Sequence, residues 1–124
     1  MKCLEPTDKV KTCLEILLDA QMDVRGYLTK PMKPESLLKE VLFWYKLTEH
    51  QLFSFRYIKV KRLYMFLLYE ACFWDYERIA ETTKCRNELE VIQGIEKIKA
   101  AMRKDINLLA DVGGIVDRMK AYSE

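Results

Sequence analysis

Apolar residues recur at three- and four-residue steps through almost the whole chain, the spacing of helices that each bury one face. Val10, Leu14, Leu17, Leu18 and Val24 form one such stripe, which predicts a first helix from about Asp8 to Arg25. Pro6 and Thr7 suit its entry, and Gly26 is placed to act as a left-handed cap. Lys30-Pro31-Met32-Lys33-Pro34 reads as a loop, because two prolines so close together cannot continue a helix. A second helix opens near Glu35 or Ser36, with Leu37, Leu38, Val41, Leu42 and Tyr45 on its inner side.

Beyond Pro34 neither Gly nor Pro occurs until Gly94. As one helix, 36–83 would be a rod of roughly 70 Å, against a radius of gyration of about 14 Å for a compact domain of this length. Either the helix breaks, or an elongated molecule is completed by a partner. Local chemistry favours a break. Thr48-Glu49-His50-Gln51 fits a capping box, and Ser54 is a second candidate cap. Phe53-Ser54-Phe55-Arg56-Tyr57 alternates like a strand, but with no second strand to pair with it reads as a helix junction.

Asn87 with Glu90 three positions later marks another start. Ile95, Met102, Leu109 and Val116 then hold one heptad position and Val91, Ile98, Val112 and Met119 the other, with Asp105 the exception. Gly113-Gly114 should kink or end this helix, unless the pair marks close backbone contact with a neighbour. The expectation is a single all-α domain over 1–124. Its architecture would be an up-and-down four-helix bundle, or one with a long helix shared in an oligomer.

Composition agrees with this class: 50% of residues are hydrophobic and 32% charged, with few Gly and Pro. The net charge of +2 gives no global field toward nucleic acid or anionic lipid. It is unevenly spread, however. Residues 56–69 carry Arg56, Lys59, Lys61 and Arg62 with no acid, whereas 70–90 hold six acids against three bases. The first residues hold no apolar stretch of the signal-peptide kind, and no run approaches a membrane span. A cytoplasmic setting follows as the expectation, with Cys3, Cys13, Cys72 and Cys85 as reduced, small apolar groups whose spacing fits no zinc pattern.

Candidate chemistry is sparse. His50 is the sole histidine, and Leu47 stands where a Glu-x-x-His metal motif would need Glu. Gly94, Gly113 and Gly114 match no phosphate loop. Glu77 and Glu81 share a helix face, but beside Arg78 they read as solvated salt-bridging groups. No cofactor or metal is expected, and an enzyme is disfavoured.

The segment from Tyr57 to Ala80 is the most informative, with 17 of its 24 residues apolar or aromatic. On one helical wheel Ile58, Tyr64, Met65, Leu68, Cys72, Tyr76 and Ile79 fill a core face. Leu63, Phe66, Phe73 and Trp74 fall among charges opposite, on the side that a four-helix monomer leaves wet. Such a helix is either central in its own bundle or covered by another chain. The second option leads to the primary expectation: a non-enzymatic helical assembly or adaptor protein, self-associating or binding a helical partner through Leu63, Phe66, Phe73 and Trp74. The alternative is a small nucleic-acid-binding accessory subunit using Arg56, Lys59, Lys61 and Arg62, interleaved with aromatics over 53–64.

Overall fold

The computed structural model describes residues 24–28 and 30–123. The described chain is all-helical, with no strand. A short helix α1 (Val24–Tyr27) leads through a loop to α2 (Pro34–Tyr45) and the single turn α3 (Glu49–Leu52). A 3₁₀ turn (Phe55–Tyr57) runs into α4 (Ile58–Glu70), followed by α5 (Tyr76–Thr83), α6 (Glu88–Lys104) and α7 (Ile106–Ser123). Six of these helices, α2 to α7, pack together.

Most of the first predicted helix, with Cys3 and Cys13, lies outside the described residues. The part that is described runs through Gly26 to Tyr27, so Gly26 does not cap it. Val24 is fully buried, as the stripe requires.

The rod over 36–83 does not form, and each break has a local cause. Pro34 opens α2 at a first-turn position where its missing N–H costs nothing. The helix closes at Lys46, which turns left-handed (φ 56°) while Leu47 N–H donates to the Leu42 carbonyl at 3.0 Å. Thr48 then forms the expected capping box: Gln51 N–H donates to Thr48 Oγ1 at 3.2 Å, and Thr48 N–H to Gln51 Oε1 at 2.9 Å. The alternating segment 53–57 is a turn and a 3₁₀ helix, the junction anticipated from the lack of a pairing strand.

A third break had no counterpart in the sequence reading. After Glu70, Ala71 and Cys72 N–H both donate to the Leu67 carbonyl, Phe73 turns left-handed (φ 62°), and Trp74 N–H reaches back to Leu68 O at 3.2 Å. Asp75 caps α5 by accepting from Arg78 N–H at 2.9 Å. Met32 N–H, from the loop before α2, donates to the Ala71 carbonyl at 2.8 Å, satisfying a group left over at the end of α4.

The last two helices come from one heptad pattern cut at its exception. Asp105 is extended and its Oδ1 accepts from the N–H groups of Asn107 and Leu108, so the residue that broke the stripe starts α7. Gly113 and Gly114 lie inside α7, which passes through them to Ser123. Close contact with a neighbour, not a kink, accounts for Gly114: the six-membered ring of Trp44 lies directly against it.

The core is one apolar cluster with α4 at its centre. Residues 63–68 are all buried, because α2, α3, α5 and α6 pack around this helix on different sides. Lys59 Nζ at the start of α4 lies 3.9 Å from Asp105 just past the end of α6, while Gly94 of α6 packs on Arg62 and Met65. The two helices are therefore antiparallel.

Candidate functional site

Leu63 and Phe66 are not wet. They are 0% and 3% exposed within the chain itself, so the wheel that put them on the solvent side is corrected. A wheel identifies faces but not how many are covered, and residues 63–68 of α4 are all buried by the chain itself. The same wheel ran through Phe73 and Trp74 as though the helix continued. Both instead sit half-buried on the loop between α4 and α5.

That loop forms one wall of an open groove of about 500 Å³, and Pro31–Pro34 forms the other. Arg78 places its guanidinium carbon 3.9 Å from the centre of the Trp74 ring. Arg25 does the same for two further rings, 4.8 Å from that of Phe73 and 4.9 Å from that of Tyr69, while its Nη2 donates to the Tyr69 carbonyl at 2.8 Å. Each aromatic ring is thus fixed by a cation on its face. Cys72 lines the groove, but burial pushes its thiol up to about 12, so it stays protonated and unreactive at neutral pH.

The basic residues of the alternative reading lie at the other end of α4. Arg56 is exposed on the 3₁₀ turn. Lys59 faces Asp105, and Lys61 and Arg62 are half-buried, with the stem of Arg62 running over Gly94. The sequence reading missed their neighbours in space, since antiparallel packing puts the basic last turns of α6 beside them.

A second, smaller hollow of about 150 Å³ lies between α2, α4 and α7. In it Tyr45 OH donates to Asp111 Oδ2 at 2.8 Å. Burial, and then Asp111 itself, hold the Tyr45 phenol far above its usual range. Asp105 in the same hollow is occupied with capping and with Lys59. Tyr45 is therefore not poised to give up its proton near neutrality.

The remaining candidates stay apart. His50 is exposed in the short helix α3. Glu77 and Glu81 are exposed and make no ion pair among the described residues. Among those residues no group of three or more His, Cys, Asp or Glu side chains is arranged to hold a metal, and no helix is long and apolar enough to cross a membrane. No family model, curated protein or solved structure matches the chain.

Proposed function

We propose that this chain is a non-enzymatic helical assembly or adaptor protein that acts in the cytoplasm through protein–protein contacts. Its contact surface is the groove around Phe73 and Trp74, and its partner is a second copy of itself. The observation that carries this reading is Trp74, half-exposed in an open groove and held in place by Arg78. Trp and Arg are the residues most often found at energetic centres of interfaces, and a ring already fixed loses little freedom on binding. Leu63 and Phe66 do not belong to the contact, because they are spent in the core.

A second copy fits the charge pattern of the rim. Lys33, Asp75 and Arg78 line the groove and are exposed, and Glu77 and Glu81 are exposed on α5, the helix that carries Arg78. A two-fold contact requires a self-complementary patch, in which the bases of one protomer meet the acids of the other. Light scattering after gel filtration tests this directly. The wild type should run as a dimer and Trp74→Glu as a folded, helical monomer. A wild type that stays monomeric at high concentration overturns the reading.

A further inference from the structure

One end of the molecule is far more basic than the sequence order suggests, and this is independent of the groove. Along the chain, the cations of 56–62 and those of 97–104 are separated by the acidic block. In the fold, α4 and α6 run antiparallel, so Lys59 meets Asp105 at 3.9 Å and Arg62 lies on Gly94, one turn before Lys97. The stretches 56–62 and 96–105 together hold eight cations against Glu96 and Asp105, a net of six positive charges. Those two acids neutralise Lys99 and Lys59 at 3.9 Å each. Arg56, Lys61, Arg62, Lys97, Arg103 and Lys104 make no ion pair among the described residues.

The same end carries unused apolar surface. Phe55, next to Arg56, is 87% exposed, the highest value among the large hydrophobic residues described, and Ile106, just past Asp105, is 57% exposed. Neither side chain is needed for the core, so the fold gains almost nothing from an aromatic ring at position 55. A solvated phenyl ring beside unpaired guanidinium and ammonium groups matches a polyanion whose units also have flat apolar faces.

We propose that this end of the molecule, centred on Phe55, Arg56, Arg62, Arg103 and Lys104, binds single-stranded nucleic acid. The cations contact phosphates, and Phe55 stacks on an unpaired base. Unpaired bases are required, because a duplex offers no free face to a ring at the surface. The first turns of α4 and the last turns of α6 give a platform roughly 10 Å long, at 1.5 Å per residue, room for only a few phosphates.

Fluorescence anisotropy with labelled oligothymidylate and oligouridylate, over a salt series, tests the proposal. Three or four phosphate contacts give a slope of log K against log salt of about −2 to −3. Arg103→Gln with Lys104→Gln keeps good helix formers at exposed positions and should flatten that slope by about 1.4. Phe55→Ala should leave the circular dichroism unchanged and weaken binding about ten-fold, with the slope retained. Absence of salt-sensitive binding at low ionic strength overturns the proposal. So does binding that Phe55→Ala leaves intact and that heparin matches, which would mark a generic cationic face.

Discussion

The indole of Trp44 lies so close over Gly114 that a Cβ on that glycine would stand 2.5 Å from the ring's Cη2. The contact joins the end of α2 to the middle of α7. It explains why a costly glycine sits inside a long helix: only a bare backbone lets the ring approach.

Gly114→Ala should therefore destabilise the protein although alanine is the better helix former. Two forces compete: about 1 kcal/mol gained in helix propensity and about 1–3 kcal/mol lost to overpacking against a rigid ring. A net loss near 1 kcal/mol is expected, with altered Trp fluorescence. Gly94→Ala provides the contrast. Its added Cβ meets the flexible tip of Met65, which can swing aside, so this variant should be near neutral. Urea denaturation of both settles the order, and equal losses would count against the distinction.

Phe66→Glu and Trp74→Glu should behave differently. Phe66 is 3% exposed at the centre of the core, where a carboxylate would be desolvated and unpaired. Replacing it should cost more than about 3 kcal/mol and unfold the chain. Trp74 is half-exposed on a loop, so its variant should keep its helix content. Circular dichroism distinguishes them; a folded Phe66→Glu would mean that α4 is not central.

Asp105→Ala should loosen the junction of α6 and α7. It removes the acceptor for two N–H groups at the start of α7 and the partner of Lys59. Loss of the cap alone costs about 1 kcal/mol, and the exposed ion pair adds less than that. Amide exchange should rise at Asn107 and Leu108 before it rises elsewhere. Unchanged protection there would show that the cap contributes nothing.

Stability should fall as pH rises above about 9. Burial raises the Cys72 thiol and the Tyr64 phenol to about 12 in the folded chain, whereas unfolded Cys and Tyr titrate near about 8.5 and 10. The unfolded chain thus loses these protons first, so the stabilisation is complete below the unfolded values and is lost progressively up to the folded ones. The urea midpoint should decline between about pH 8.5 and about pH 10.5. Cys72→Ala should flatten the lower part of the decline and leave the Tyr64 part. A pH-independent midpoint over that range would mean that neither group is buried in solution.

What could be read from the chain were features whose cause lies within a few residues. Thr48 with Gln51 and Asn87 with Glu90 gave helix starts, because a cap is made by neighbours three positions away. The 53–57 junction was likewise legible, since a strand without a partner has no use for its backbone groups. The break after Glu70 was hidden, as it closes on a left-handed Phe73 where glycine would have signalled it.

The helical class and the local caps follow from the order of residues along the chain. The pattern of apolar spacing and side-chain hydrogen bonding within one turn suffices for both. Packing between distant segments is what made Leu63 and Phe66 core, brought Arg25 to Phe73 and Tyr69, and laid the basic stretch 56–62 antiparallel to the helix that carries 97–104. Periodicity tells which sides of a helix are apolar, but coverage of those sides depends on the packing of segments distant in the chain. The direction in which α6 returns past α4 is set by that packing, and with it the place where the charge collects.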